Sequence, residues 1–244
     1  AIVYLIGGIV VLIANGPAVG QALALIFEFA FNPQASIGGV TFGLIAALSQ
    51  GAKRGLFSNE AGMGSTPHAH ALANVKNPHE QGVVAIIAVF IDTFVVVTIT
   101  ALVTITVLYT GDGVLAQGLY DGVAKTNMAQ MAFGSVFGEA GGNIFVAVCL
   151  LFFAFSTILS WNLFAKINVQ YLFGKKAVPV FSVIALIFIF LGSLLSNDLV
   201  WELADMFNQL MVLPNAIALI ALGGAVSICA KTKGEKTDKK NLNK

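Results

Sequence analysis

Between Gln50 and His70 the sequence holds glycines at 51, 55, 62 and 64, the polar residues Ser58, Asn59, Ser65 and Thr66, and one acid, Glu60, beside long apolar runs. Glycines let backbones approach closely, and Ser58, Asn59, Glu60 and Ser65 are side chains that satisfy amides where a helix unwinds at membrane depth. A tight turn on the membrane surface suits the same composition, and the residues alone leave both readings open. Asp92 sits alone in an apolar run, about eleven residues or roughly 16 Å from its start, where a charge is costly and is by default a functional candidate. It belongs either to an ion path or inner gate, or to a buried contact with Thr93, Thr98 or amides elsewhere; the second is favoured. Ser156 and Thr157 stand in another apolar stretch, with Trp161 one turn on. Their hydroxyls are oxygens of the kind that bind hard cations, although such side chains in membrane helices more often bond their own backbone. Asp205 and Asn208 lie one turn apart and suit a helix-to-helix polar contact better than a gate. His68, His70 and His79 with Glu80 do not make a metal site, since Pro67 interrupts the first pair and no helical two-histidine motif with a third ligand is present. No nucleophile–base set and no phosphate-cradling loop is legible, which argues against an enzyme.

The elements that must position these residues are set by composition. Of 244 residues, 57% are hydrophobic and only 10% charged, and mean hydropathy is +0.88. A soluble domain carries about 25% charge, so this chain is expected in a bilayer as an all-α integral membrane protein. Apolar runs at Ala1 to Asn15, Gly38 to Gly51, Gly82 to Tyr109, Gly142 to Ala165, Ala177 to Leu195 and Trp201 to Ala230 predict about six transmembrane helices. The second run is short and glycine-rich. Fourteen residues rise only about 21 Å, less than the ~30 Å hydrocarbon core, so this helix must be extended by its flanks or interrupted. Ala18 to Phe31 has a helix-like apolar pattern, and Thr126 to Phe137 is apolar enough to lie on the surface or dip in as a lid. Cys149 and Cys229, within apolar runs, read as small packing residues.

With gaps numbered alternately, twelve of the 13 Lys and Arg fall on one side and only Lys125 on the other, whereas Glu28, Asp112, Asp121, Glu139 and Asp198 occupy the opposite gaps. The positive-inside rule makes the basic side cytoplasmic. The expected organisation is a transmembrane domain over residues 1–230 and a basic cytoplasmic tail at 231–244, expected to be disordered. Ala1 opens inside an apolar run without a basic leader, so the chain is expected to be part of a longer protein. A net charge of +1 gives nucleic acid no support.

Gly51, Arg54-Gly55, Phe57-Ser-Asn-Glu-Ala-Gly62, Gly64-Ser65 and Ala69-His70-Ala71 together resemble the signature stretch of the alanine or glycine:cation symporter family. Further likeness lies in Gly38-Gly39, Ile91-Asp92-Thr93, Phe153-Ala-Phe-Ser-Thr157 with Trp161, Ala204-Asp205 and Met211 to Asn215, so that the resemblance covers nearly the whole chain. It implies a five-plus-five inverted-repeat (LeuT-like) transporter, of which the six spans would be core helices five to ten. The other half would then carry much of the amino-acid pocket, and this stretch alone would not transport.

The resemblance also implies roles. The sixth core helix of such folds is discontinuous near the midplane, and Phe42, Gly43 and Ala46 match substrate-pocket positions there; ordinary helix packing is the alternative. Thr157 and Trp161 would face substrate, and Ser156 with Thr157 would help to bind Na⁺. After Trp161 the sequence Asn162-Leu-Phe-Ala165 replaces the family's usual aromatic pair with Gly-Glu, which removes support for a coupling role at that helix end. The implied activity is Na⁺-coupled symport of alanine or glycine across the plasma membrane, with no cofactor beyond the coupling ion. Partners are the small amino acid, Na⁺, the lipid bilayer and the remaining half of the protein. A membrane channel and a non-transporting membrane subunit are the competing classes.

Overall fold

A computed structural model describes residues 1–31, 40–124 and 126–231, with side chains at 1–29, 48–124 and 126–230. All regular structure among the described residues is helical: α1 (Ile2–Ala14), α2 (Gly16–Phe31), α3 (Val40–Ser58), α4 (Thr66–His70), α5 (Pro78–Phe90), a π-helical segment (Ile91–Val97), α6 (Thr98–Leu108), α7 (Met128–Phe137), α8 (Glu139–Phe173), α9 (Ala177–Gly192) and α10 (Asn197–Lys231). Over its described residues, each of the six apolar runs falls mostly or wholly on a helix or a continuous helical stretch. Among the described residues, three stretches are long and apolar enough to cross a membrane: Pro78–Leu108, Glu139–Phe173 and Asn197–Ala230. A fourth is reached if α1 and α2, bent by 101° at Asn15, form one broken span. At most 6% of their most apolar windows is buried within the protein, so these side chains face outward, as lipid-solvated helices require.

The short second run is resolved by extension. α3 continues past Gly51 through Lys53 and Arg54 to Ser58, and its described backbone is unbroken from Val40. The unwinding expected inside the run comes after it, at residues 59–65.

The chain folds as two compact units, Ala1–Ser49 with Thr93–Ile158 and Gln50–Asp92 with Leu159–Lys244. In the first, Tyr4, Val11, Val103, Ala132, Phe133 and Val146 form a buried cluster from α1, α6, α7 and the first part of α8. Phe133 is fully buried, with ring centroids 5.3 Å from Tyr4 and 5.1 Å from Phe145. The Tyr4 hydroxyl reaches Thr100 Oγ1 at 3.1 Å, tying α1 to α6. Gly138, at φ 75° and ψ 158°, adopts a conformation essentially reserved for glycine and turns α7 back into α8. Where these helices meet, a Cβ on Gly142 would stand 2.5 Å from Gly134 Cα, so the crossing is backbone against backbone.

The second unit holds the signature stretch. α5 begins at Pro78, whose missing N–H costs nothing in a first turn, behind an Asn77 side chain that accepts from the His79 N–H at 3.0 Å. α5 packs beside α10.

Candidate functional site

The signature residues unwind between α3 and α4. Glu60 has φ 58°, the one positive φ at a non-glycine among the described residues, and Gly64 has φ 77°. A left-handed conformation costs a residue with a Cβ roughly 1–2 kcal/mol, so Glu60 is held in place by its partners. Its carboxylate takes one donor on each oxygen: Ser65 Oγ on Oε2 at 2.8 Å and the Trp161 indole N–H on Oε1 at 3.1 Å. Ser65 is 1% exposed and Met63 2%. Asn59 Oδ1 accepts from the Ala61 N–H, and the Asn59 carbonyl accepts from Thr66 Oγ1. The freed carbonyls of Ala61 and Gly62 are met by Asn215 Nδ2 at 3.1 and 2.9 Å. A Cβ on Gly64 would lie 2.6 Å from Asn215 Oδ1, so only glycine admits this side chain.

Further contacts fix the two ends of the loop. Before it, Arg54 makes a two-pronged ion pair with Asp205 at 2.9 and 3.2 Å, and its guanidinium sits 4.7 Å from the centroid of Trp201, which Phe57 meets edge-on. Ser58 Oγ donates to Asp92 Oδ2 at 2.7 Å. Asp92 belongs to the π-helical segment, a distortion that recurs at functional sites in membrane and soluble helices alike. After the loop, His68 Nδ1 lies 3.0 Å from the Ser65 carbonyl and its Nε2 lies 2.9 Å from Asn168 Nδ2. With the Nδ1–H donated to that carbonyl, Nε2 is left as the acceptor for the amide. Asn168 Nδ2 also donates to the Phe164 carbonyl, and the His68 and Phe164 rings pack at 5.7 Å.

The depth of this loop follows from helix geometry. α8 and α10 each have 35 residues, about 52 Å of helix. Trp161 is five residues past the midpoint of α8 and Asn215 one residue past that of α10, so both partners lie within roughly 8 Å of the helix centres. A core of ~30 Å centred on either helix includes them. The loop is therefore an unwound segment that lies beside the middle stretches of α8 and α10. Beside it is a cavity of about 310 Å³ with Ser58, Asn59, Glu60, Thr66 and Asp92 on its polar side. A larger, mostly apolar hollow of about 810 Å³ lies against α4 and α5, with His70 and Gln81 hydrogen-bonded in its wall.

A family profile described as the sodium:alanine symporter family matches residues 1–244. The chain belongs to that family. It is 38% identical over 223 residues to an uncharacterized transporter of Haemophilus influenzae, covering 91% of this chain and 47% of that protein. It is 36% identical over 242 residues to a sodium/alanine symporter of Methanococcus maripaludis, covering 99% and 51%. A probable sodium/glutamine symporter of Bacillus subtilis is 35% identical over 232 residues, covering 95% and 46%. The chain thus spans about half the length of the curated relatives it matches. The family is one of sodium-coupled transporters and not of enzymes, in line with the missing nucleophile–base set.

Within this symporter-family chain the expected site residues are only partly gathered. Phe42, Gly43 and Ala46 lie on the backbone of α3, and their side chains are outside the described residues. Ser156 and Thr157 are exposed on α8, and Ser156 Oγ donates to the Phe153 carbonyl at 2.9 Å, the self-bonding weighed from sequence. They belong to the first unit, whereas Trp161 belongs to the second and is gathered with Glu60. Asp205 makes a helix-to-helix contact with Arg54, and Asp92 accepts from Ser58 Oγ, a partner not expected from sequence. Sequence reasoning missed the clamp by Asn215, for which the Pro214-Asn215 pair inside an apolar helix was a signal: such a proline interrupts helix bonding where a polar side chain is useful.

Proposed function

We propose that the protein carries out Na⁺-coupled transport of a small amino acid, alanine or glycine, by alternating access in the plasma membrane. The observation that supports this best is the family signature itself, folded as a polar loop at the mid-length of two long apolar helices and joined there to Trp161 through Glu60. A polar loop with a carboxylate at that depth is unfavourable unless it lines a path or site.

On this reading the chain crosses the bilayer six times, with residues 1–230 as the transmembrane domain and 231–244 as a cytoplasmic tail. The helices correspond to core helices five to ten of a five-plus-five inverted-repeat transporter. By the family resemblance, Phe42, Gly43, Ala46, Thr157 and Trp161 are the residues that bind the amino acid. The Ser156 and Thr157 hydroxyls supply hard oxygen ligands to Na⁺ as it is carried. Na⁺ and amino acid are coupled because each stabilises the same closed state, so each raises the affinity of the other.

The test is uptake of labelled alanine, glycine and glutamine by proteoliposomes holding the full-length protein, with and without an imposed Na⁺ gradient. Gradient-driven accumulation of alanine or glycine, lost in Thr157→Ala, is expected. Uptake indifferent to Na⁺ refutes sodium coupling, and non-saturating flux down a concentration gradient indicates a channel.

A further inference from the structure

Glu60 has no assigned part in substrate binding, yet its geometry is demanding. It alone among the described non-glycine residues takes a positive φ, 58°, and the result of that conformation is to aim its carboxylate at α8. One oxygen receives the Trp161 indole N–H at 3.1 Å, and the other is fixed by the hydroxyl of Ser65, which is 1% exposed. An indole has a single polar donor and no acceptor. Once that N–H is engaged, the ring plane is determined by the hydrogen bond on one side and by the edge contact with Phe164, 6.2 Å between centroids, on the other.

We propose that Glu60 is the positioning residue for Trp161: the signature loop holds the indole in the orientation that closes the amino-acid site, with Ser65 as the fixed support of the carboxylate. This rests on the reading above that Trp161 faces substrate. Glu60 does not touch the amino acid and acts through Trp161. The arrangement makes the loop between α3 and α4 and the substrate face of α8 move as one, so substrate affinity depends on a residue whose own backbone belongs to the loop. The role needs an acceptor and not a charge. Gln presents the same carbonyl oxygen to the indole, and its amide donates to the Ser65 oxygen once that hydroxyl rotates.

The experiment is alanine uptake in proteoliposomes of the full-length protein, comparing Glu60→Ala, Glu60→Gln, Trp161→Phe and the double variant Glu60→Ala/Trp161→Phe. Glu60→Ala is expected to raise the half-saturating alanine concentration about tenfold, the scale of a lost hydrogen bond to a charged group, while Glu60→Gln stays within about twofold of the wild type. In the Trp161→Phe background, Glu60→Ala should add nothing, because the contact is already gone. Additive effects, or Glu60→Gln as damaging as Glu60→Ala, overturn the proposal; the latter would assign the carboxylate a charge-dependent role. A second arm is independent of transport. In a Trp201→Phe background, with any tryptophan outside residues 1–244 also changed to Phe, Trp161 is the remaining indole, and its emission should shift and become more quenchable by acrylamide in Glu60→Ala but not in Glu60→Gln. If the wild type accumulates no amino acid on a Na⁺ gradient, the transport reading fails while this arm still decides the positioning: an emission unchanged in Glu60→Ala overturns it.

Discussion

Gly64 and Asn215 are predicted to be energetically coupled, and the structure gives the size of that coupling. Gly64 stands at φ 77°, so an alanine there costs roughly 1–2 kcal/mol in backbone conformation alone. Its Cβ would also lie 2.6 Å from Asn215 Oδ1 and 2.8 Å from Cγ, and the neighbour is a side chain already committed to two carbonyls. Relieving the clash means withdrawing the amide from Ala61 and Gly62, at about 1 kcal/mol for each bond. Gly64→Ala should therefore cost about 3–4 kcal/mol. Asn215→Ala, which loses only the two bonds, should cost about 2 kcal/mol. In the double variant the amide is absent and only the backbone term is added, so the total is about 3–4 kcal/mol where additivity would give about 5–6. Gly64→Ala and the double variant should therefore melt at nearly the same temperature, both below the Asn215→Ala variant and the parent. Thermal unfolding in detergent, followed by intrinsic fluorescence, reads this directly. Strict additivity, or a Gly64→Ala protein as stable as the parent, would show that the loop does not fold against Asn215 as described.

Three other outcomes are expected. Gly142→Ala should destabilise the first unit by about 2–3 kcal/mol, since its Cβ meets the backbone of α7, which cannot yield as a side chain can; Gly7→Ala, whose new Cβ meets the rings of Phe145 and Phe133 and no backbone, should cost less in the same melt. Arg54→Lys should lose both the second prong to Asp205 and the stacking on Trp201, yet cost only about 1 kcal/mol, because the two side chains are 45% and 23% exposed; a loss several times larger would mean the pair is dry. Asn215→Asp should be worse than Asn215→Ala in the melt, as a carboxylate would face two carbonyl oxygens with no proton to donate.

The helices were legible because their apolar runs are long and contain few charges, and a run of that kind has one stable form in lipid. Their ends were less so. α8 extends three residues before Gly142 and eight beyond Ala165, since polar residues such as Asn168 and Gln170 continue a helix once it is started. The bend at Asn15 was marked by Asn15-Gly16-Pro17, whereas the π-helical segment at Ile91–Val97 had no sequence cue beyond Asp92 itself. The site was visible as composition and not as pairing. Glu60 and Ser65 stood out in the signature stretch and Asp205 in an apolar run, whereas Asn215 did not, and the contacts through Trp161, Asp205 and Asn215 span 101 to 154 residues, a separation no local periodicity encodes. Ser65 was local and still unreadable as a support for Glu60, because the contact exists only after Glu60 takes its left-handed turn.

Arg54 shows how pairing changes an argument made from charge alone. By sequence it counts among the cations of the cytoplasmic side, but its guanidinium sits between Asp205 and Trp201, and Asp205 is 26 residues before the end of α10, about 39 Å along the axis. A cation neutralised at that position is not free to follow a headgroup potential, so it carries little weight in orientation, and the bias toward one side rests on the lysines. The same ion pair explains why a sequence as polar as Lys53 to Ser65 can lie along apolar helices at all. Its charges at 54 and 205 cancel, the Glu60 carboxylate has a donor on each oxygen, the Ser58 hydroxyl reaches Asp92, and the carbonyls at 61 and 62 meet Asn215. The partners outside the loop come from three helical elements: Asp205 and Asn215 from α10, Trp161 from α8 and Asp92 from the π-helical segment after α5. Displacing any one of those helices therefore strips the loop of a partner, which gives helix movement and loop conformation a shared free-energy cost.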